Sequence, residues 1–526
     1  MENKEKTMYE TLLERTKENI INWYPFNQNA KVLQISNKED KLKIEQVDNV
    51  ISIENAEELK DIDEKFDYII MINKLNSTVT NFEKIIDKLN FDGKILLIED
   101  NRLSIKNICE VEQEENNNYS IKEIEEILEN YDLKYRKNYY VLHDYKKTNV
   151  IFTDKHLPDK ETIRRNITFY PENSIINHNE NDIYDELLEI DINLFKIFAN
   201  SFFIECSKTE LVDNQIELVS YSNIRKEEYK IKTTIKGNAV YKTYANGQAK
   251  KHIEQIKNNI NIMKNNNINT LDSYEDNNII SQYQEGRQTL DKYLINKVAN
   301  NETEEVKQII TKFYEELKEK LIKTETTENV FDKYNLEYEK KDIENLNFVK
   351  YGLWDLIFQN TFYIEDKFFF YDQEWIEENL PVEYIMYRAM KYCKTLQDLL
   401  TKEYFYDMIG INNKNVELFD ALDNRLQQNT RSEENWEIHT RENSVMQKIS
   451  DIRAEKEKMY QESLKLLNEK DARIKFLEEN MEKTCAMLQE KEQQINMMEN
   501  STSWKITKPL RELKKPKKGE ENESKR

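Results

Sequence analysis

The chain has 526 residues, with 78 basic and 100 acidic side chains and a formal net charge of −22. A surface of that charge repels phosphate backbones, so we expect no nucleic acid among its partners. The 7 glycines and 6 prolines exclude collagen and the Gly-rich or Pro-rich low-complexity chains. At roughly 150 residues per domain, a chain of this length is expected to contain several domains.

The cysteines predict neither a disulfide framework nor a structural zinc site, because they lie far apart and without CxxC spacing. They are Cys109, Cys206, Cys393 and Cys485. The sequence contains no run of eighteen apolar residues and no apolar core behind the first lysines, so we expect neither a transmembrane span nor a signal peptide. These features together predict a soluble protein of the reducing cytoplasm.

Short apolar strands alternate with amphipathic helices up to about residue 145, which indicates an α/β layer with parallel strands. The segment FEKIIDKLNFDG is predicted to be a helix capped near Gly93. Because the strands are apolar on both faces, helices should cover both sides, as in a doubly wound sheet. The predicted strands are Lys31 to Ile35, Val50 to Ile53, Phe66 to Ile72 and Lys94 to Ile98.

The first two strands allow a test for a nucleoside cofactor site. A class I methyltransferase has a Gly-rich turn after its first strand and an acidic residue at the end of the second, which holds the ribose. The first strand is followed by Ser36 to Asp40 without any glycine, whereas Glu54 does end the second strand. The loss of the turn favours a degenerate cofactor site.

Several motifs in this part of the chain resemble those of a family of bacterial SAM-dependent methyltransferases associated with surface-polysaccharide assembly. They are NWYPFNQNAKVLQIS, VISIE, EKFDYIIMINKL and LNFDGKILLIEDN, and the resemblance extends to about residue 208. It implies a Rossmann-like methyltransferase-type fold with Glu54 as the ribose-binding acid and Asp67 at the fourth strand. The missing turn argues against SAM as a bound cofactor.

Residues of the types that transfer a phosphoryl group follow in order in the middle of the chain. Transfer from ATP requires a lysine on the phosphates, a carboxylate that orients the acceptor hydroxyl, and an Asn and an Asp that hold magnesium. Lys242 lies in the strand-like NAVYKTY, and Glu254 follows it in a helical stretch. Asp355 and Asn360 have the D-x-x-x-x-N spacing of a catalytic loop, and Asp372 follows in FFFYDQEW.

The segment from about 215 to 400 resembles the kinase-like domain of aminoglycoside and lipopolysaccharide-core kinases, and the same methyltransferase family carries such a segment. The shared stretches include DQEW, LPVEYIMYRAM and the hinge-like QEG at 284–286. The resemblance implies the following roles: Lys242 contacts phosphate, Glu254 pairs with Lys242, Asp355 is the base, and Asn360 with Asp372 holds magnesium beside ATP.

This segment also departs from the kinase pattern at two positions. Leu353 stands where a His usually precedes the catalytic Asp by two residues, and Gly237 alone stands where a Gly-rich loop would cover the phosphates. A scaffold whose acids only cap helices or pair with lysines therefore remains an alternative to an active kinase.

Residues 430–500 contain neither Gly nor Pro, and an apolar residue recurs there every seven positions. This heptad spacing predicts a coiled coil and hence a homo-oligomer. A single solvated helix remains the alternative, because the second seam is mixed. The recurring residues are Leu467, Ile474, Met481, Leu488 and Ile495.

The C-terminal segment begins NSTSWKITKPLRELKKPKK, and residues 505–518 carry seven basic side chains against the single acidic Glu512. A basic segment with a tryptophan can lie in the headgroup region of an anionic membrane. The SWKITKPLR motif resembles the ends of many bacterial glycosyltransferases of envelope polysaccharide pathways. It implies peripheral contact with the inner face of the cell membrane and glycosyltransferase partners.

We therefore expect a multidomain α/β protein with four parts. Residues 1–208 form a degenerate methyltransferase-like domain, 209–410 a kinase-like α+β domain, 411–500 a linker and coiled coil, and 501–526 a basic tail.

Two classes of function follow. The first is a transferase of surface-glycan assembly that acts on a sugar or a lipid-linked glycan. Phosphoryl transfer is favoured, and a glycan methyltransferase with a divergent cofactor loop is the alternative. The second class is a non-catalytic scaffold for glycosyltransferases.

Overall fold

A computed structural model of the protein describes residues 16–109, 118–160, 162–163, 180–282, 284, 286–324, 328–393, 396–397 and 400–513. The chain divides into two compact units, Met1–Glu442 and Asn443–Arg526.

The first unit is built on one large mixed sheet, which has twelve strands among the described residues. Its strands lie side by side in the order β11-β12-β10-β9-β8-β6-β5-β7-β4-β3-β1-β2. They are β1 (Lys31–Ile35), β2 (Asn49–Ile53), β3 (Phe66–Ile72), β4 (Leu89–Asp100), β5 (Tyr135–His143), β6 (Thr148–Thr153), β7 (Ser201–Ser207), β8 (Ile216–Tyr221), β9 (Ile231–Lys236), β10 (Ala239–Tyr244), β11 (Asp272–Glu275) and β12 (Asn278–Gln282).

The four predicted N-terminal strands are confirmed, and β1 to β4 pair in parallel. Alternate side chains of β3 enter two different cores, with Ile69 and Met71 on one face and Ile70 and Ile72 on the other. This alternation follows from the two-residue period of a strand, and it explains why the strand is apolar throughout.

The two faces of this part of the sheet are covered differently. Helices pack on one face, whereas the other face is covered in the described residues by the short 3-10 turn Lys17–Ile20 and by irregular chain around Leu42 and Ile44. The expected doubly wound layer is therefore only partly formed.

The helix predicted to be capped near Gly93 is shorter than expected. It covers only Phe82–Ile86, and β4 begins at Leu89. Gly93 lies inside β4, where a Cβ atom would come within 3.0 Å of the Asn90 and Phe66 carbonyl oxygens. This glycine thus permits close approach of two backbones and does not end a helix.

The sheet continues without interruption across residue 208. Strands β6 and β8 pair antiparallel, with Val150 opposite Ser220 and Phe152 opposite Leu218. Antiparallel β5 to β12 thereby extend the parallel strands of the N-terminal half into one mixed sheet. The segments before and after residue 208 are therefore joined by main-chain hydrogen bonds within one sheet.

The helices among the described residues of the first unit pack on this sheet and around a second core. They are α1 (Leu75–Thr78), α2 (Phe82–Ile86), α3 (Ile105–Ile108), α4 (Ile121–Asn130), α5 (Glu180–Ile190), α6 (Phe195–Phe198), α7 (Lys250–Asn265), α8 (Leu290–Ala299), α9 (Thr303–Lys320), α10 (Val330–Lys333), α11 (Lys340–Ile343), α12 (Val382–Lys391), α13 (Lys402–Ile409) and α14 (Asn413–Thr430).

The second core is largely helical and takes its side chains from Met263 to Leu426. It includes two small antiparallel ribbons, β13 (Phe348–Leu353) with β16 (Ile376–Pro381), and β14 (Thr361–Ile364) with β15 (Lys367–Phe370). These ribbons hold the segments that carry the predicted catalytic acids.

The long helix α15 (Glu433–Asn500) is followed by the short helices α16 (Thr502–Ile506) and α17 (Lys508–Leu513). The predicted heptad residues are exposed along α15, with between 54% and 65% of each residue's surface accessible. In the part of the chain that the structure describes, no helix combines the length and the apolar character needed to cross a membrane.

Candidate functional site

Lys242 lies in the middle of β10, paired with Thr233 of β9 and Ile279 of β12. Its residue surface is 8% exposed, and its ammonium group contacts two carboxylates. The Nζ atom donates to Asp372 Oδ1 and to Glu374 Oε1, the latter at 2.9 Å. A buried ammonium needs such partners, and both of its carboxylate partners come from the segment that follows β15.

Glu374 is the centre of the buried charge cluster. Its carboxylate accepts hydrogen bonds from Arg225 and Lys242, and the Nε2 atom of His252 lies 3.3 Å away. Burial by itself would raise the pKa of Glu374, but Arg225, then Lys242 and His252, outweigh it and hold that pKa well below the ordinary value. Glu374 is therefore an anion that holds Lys242 in place.

Asp372 follows β15 and adopts a left-handed backbone conformation with φ of 61°. Aspartate tolerates this conformation better than most residues. The turn is held by the Asp372 backbone N–H, which donates to Asp272 Oδ2 at 2.9 Å. As a result, the Asp372 carboxylate points at Lys242 and remains 34% exposed.

Asp355 and Asn360 lie on the loop between β13 and β14, next to Asp372. The Asn360 amide nitrogen donates to the Asp355 carbonyl at 3.2 Å, and the Tyr371 backbone N–H donates to the Asn360 carbonyl at 3.1 Å. Gln373 also donates to the Asp355 carbonyl, at 2.8 Å. These bonds bring the three predicted residues Asp355, Asn360 and Asp372 together at one edge of the second core.

The Asp355 carboxylate is largely buried beside Arg388, whose Nη2 atom lies 3.2 Å from Oδ1. Burial raises the pKa of Asp355 to about 6, although Arg388 and Arg225 oppose the rise. A carboxyl group with this pKa is ionised at neutral pH and can accept a proton. Arg388 also pairs with Asp423 and lies over the Trp354 ring, 4.3 Å from its centroid.

The predicted pair between Lys242 and Glu254 is not observed. Glu254 lies on α7 with its side chain 55% exposed, and it pairs with Lys257 at 2.7 Å. The buried face of α7 carries His252, Ile253 and Ile256 instead. This helix register turns Glu254 to solvent, and Glu374 takes the place that was predicted for it.

Two other segments that the sequence analysis singled out are the turn at Gly237 and the hinge at 284–286. Lys236 of β9 pairs with Ala239 of β10, so a two-residue turn that contains Gly237 joins the two strands. This turn is too short to cover phosphates. In the predicted hinge at 284–286, residue 285 lies outside the described residues, and Gly286 has φ of 69°.

Glu54 stands where it was predicted, directly after β2, but its surroundings give no cofactor cradle. It pairs with the exposed Lys38 at 3.4 Å. The segment that replaces the Gly-rich turn is fixed by internal contacts, since the Ser36 N–H donates to the Ile53 carbonyl and the Tyr145 hydroxyl donates to Asp40 Oδ1 at 3.0 Å.

The carboxyl end of β4, where a nucleoside cofactor would approach, is also closed by internal partners. The buried Lys106 donates to Asp100 at 2.8 Å, and the Ser201 hydroxyl donates to the same carboxylate at 2.5 Å. Asp67, expected at the fourth strand, lies at the amino end of β3 and accepts from the Lys31 N–H. These residues do not fit a SAM site.

The sheet and the second core define a mixed α/β protein. Its buried charge cluster consists of the Glu374 carboxylate and three side chains around it, those of Lys242, Arg225 and His252. No family model matches the chain, and no curated protein matches it. Among solved structures, a choline/ethanolamine kinase family protein from Mesorhizobium loti is 10% identical over 42% of this chain and 78% of its own, with a TM-score of 0.25. PKMT2 from Rickettsia typhi in complex with AdoHcy is 13% identical over 47% of this chain and 65% of its own, with a TM-score of 0.16.

Proposed function

We propose that the first unit binds Mg·ATP at the Lys242 site and transfers the terminal phosphoryl group to a hydroxyl acceptor. The observation that carries this proposal is the convergence of four predicted residues. The Lys242 ammonium contacts the carboxylate of Asp372, which is 130 positions further along the chain, and Asn360 and Asp355 lie beside Asp372. These are the residue types that phosphoryl transfer requires.

Asn360 and Asp372 fit a magnesium ion by their chemistry, because this ion prefers carboxylate and amide oxygens. Within the described ranges, no three His, Cys, Asp or Glu side chains form a ready metal cluster. A nucleotide-bound magnesium needs none, since one or two carboxylates and the phosphates suffice. The bound ion would supply positive charge against the phosphate oxygens.

The remaining residues have roles that follow from their contacts. Lys242 binds a phosphate oxygen, and Glu374 keeps its ammonium in place when Asp372 turns to the metal. Asp355 takes the proton of the acceptor hydroxyl as the oxygen–phosphorus bond forms, and ADP leaves. With a pKa of about 6, the Asp355 carboxylate predicts a rate that rises with pH through that value.

We propose a sugar or a lipid-linked glycan as the acceptor. This rests on the sequence resemblance to surface-glycan proteins and on a cavity of about 270 Å³ beside α12. Aromatic rings and polar groups line that cavity together, which suits a polyhydroxylated ligand. Its lining residues include Tyr387, Lys391, Gln397, Phe405, Tyr406 and Asp420.

The test is isothermal titration calorimetry of the full chain with Mg·ATP, with SAM as a second titrant. We expect saturable ATP binding that weakens when EDTA removes magnesium. Asp372→Asn should lose this magnesium dependence, because it removes the anionic ligand. Asp366→Asn, at the exposed turn between β14 and β15, is the matched control.

The absence of heat with Mg·ATP would contradict the proposal. Binding of SAM without ATP would instead favour the alternative function, a glycan methyltransferase with a divergent cofactor loop.

We further propose that α15 joins copies of the chain as a coiled coil. Support comes from the exposed apolar residues at heptad spacing, which include Leu467, Ile474 and Leu488. We expect sedimentation to show an oligomer that dissociates in Ile474→Glu with Leu488→Glu. The control variant Gln461→Glu with Gln489→Glu, at positions outside the apolar heptad residues, should leave the oligomer intact. A monomeric wild type would contradict the coiled coil.

We also propose that the C-terminal segment contacts the inner face of the cell membrane and that glycosyltransferases are partners there. The support is the SWKITKPLR motif together with the exposed Ile506, Leu510 and Leu513 beside basic side chains. If the Lys242 site bound no nucleotide, a scaffold for those enzymes would be the function that remains.

A further inference from the structure

The loop at 222–226, between β8 and β9, joins three parts of the first unit. Asn223 fixes it to the N-terminal half, because its amide nitrogen donates to the Thr148 carbonyl at 2.9 Å and to Asn149 Oδ1 at 2.7 Å. Lys226 fixes it to the end of α14, because its backbone N–H donates to the Thr430 carbonyl at 2.9 Å.

Arg225 extends from this loop into the charge cluster. Its backbone forms an isolated antiparallel bridge with Arg431, two residues before α15 begins. Its guanidinium donates to Glu374 Oε2 and lies over the Trp375 ring, 5.2 Å from the centroid. The side chain is 22% exposed. Arg225 therefore contacts both the chain just before α15, through its backbone, and the Glu374 carboxylate, through its side chain.

We propose that Arg225 is the positioning residue of the nucleotide site, set in place by the main-chain attachment of its loop to residues 430–431. The inference rests on the proposed function at Lys242 and names what holds that site. Lys242 and Arg225 occupy opposite oxygens of the Glu374 carboxylate, at Oε1 and Oε2 respectively. Without Arg225, the Glu374 anion would draw more strongly on Lys242 and leave it less available to a phosphate.

The first test compares Arg225→Met with Arg225→Lys by calorimetric titration of Mg·ATP at pH 7. We expect the affinity of Arg225→Met to fall roughly tenfold or more, as for loss of a hydrogen bond to a charged group. Arg225→Lys keeps the charge and should recover most of the affinity.

The second test separates the loop attachment from the side chain. Lys226 has φ of −58°, which proline adopts without strain. Lys226→Pro thus deletes the N–H that bonds to Thr430, whereas Lys226→Ala keeps it. We expect weaker Mg·ATP binding in Lys226→Pro and wild-type binding in Lys226→Ala, with both variants folded by circular dichroism.

The outcomes separate the two proposals. A wild type that bound no Mg·ATP would overturn the proposed function and this role with it. If the wild type bound Mg·ATP and Arg225→Met or Lys226→Pro bound it equally well, the positioning role alone would be overturned.

Discussion

Lys242→Met is expected to abolish measurable Mg·ATP binding and to lower phosphoryl transfer by roughly a hundredfold or more, the size of effect seen when a preorganised charge is removed from an active site. The ammonium is the group that links the β10 side of the site to Asp372 and Glu374. Methionine has a similar length and fills the same space, so the charge is the main thing lost.

The matched control for this substitution is Lys257→Met on α7. Lys257 pairs with the largely exposed Glu254 and touches neither Asp372 nor Glu374 in the described contacts. Because a partly exposed ion pair contributes little, we expect wild-type binding and transfer in this variant. Calorimetry and ADP release should be measured for both. Retained binding in Lys242→Met would mean that the nucleotide binds at another site.

The N-terminal strands could be predicted from sequence because their signal is local. A strand buried on both faces shows as a continuous apolar run, and β1 and β3 begin and end at the predicted residues. The position of Gly93 inside β4 could not be predicted in this way, because its close contact with the Phe66 carbonyl comes from pairing between β3 and β4.

The joining of the two halves into one sheet also depends on distant pairs. Val150 lies opposite Ser220, and Phe152 lies opposite Leu218. A change in composition along the chain marks where one sequence pattern ends, but it carries no information on whether the backbone edges pair. The continuous sheet is therefore visible only in the structure.

The candidate site was predicted in part. The spacing from Asp355 to Asn360 and the position of Asp372 after a strand singled out three residues in the sequence. In the structure these residues lie together, and Asp372 contacts Lys242. The partner of Lys242 was predicted at Glu254 by resemblance. The apolar period of α7 contained the contrary signal, since Ile253 and Ile256 place His252 on the buried side.

Arg388→Met is expected to destabilise the first unit by roughly 3–5 kcal/mol at pH 7, which is the usual cost of removing one partner of a buried ion pair. Arg388 is 3% exposed and lies between Asp355 and Asp423. Its Nε atom also donates to the Trp354 carbonyl at 3.0 Å. Its removal leaves two largely buried carboxylates, of which Asp423 retains Lys391 at 3.0 Å.

The loss should depend on pH in a defined direction. Burial would raise the pKa of Asp423, but Arg388 and then Lys391 lower it below its ordinary value. A depressed carboxyl pKa stabilises the folded state above the unfolded pKa, and this contribution is lost as the pH falls through the folded pKa. The wild type and Arg388→Met should therefore differ most at pH 7, and the difference should shrink as the pH falls below about 4, the ordinary pKa of an aspartate.

Urea unfolding followed by tryptophan fluorescence can measure this difference, because Arg388 lies over Trp354, which stacks on Trp375. Arg425→Met, on the exposed side of α14, is the control and should unfold as the wild type does. An equal loss of stability at pH 3 and pH 7 would mean that Arg388 stabilises the unit through packing over Trp354 and not through its charge. The pH dependence thus decides whether Arg388 stabilises the folded unit by its charge on Asp423.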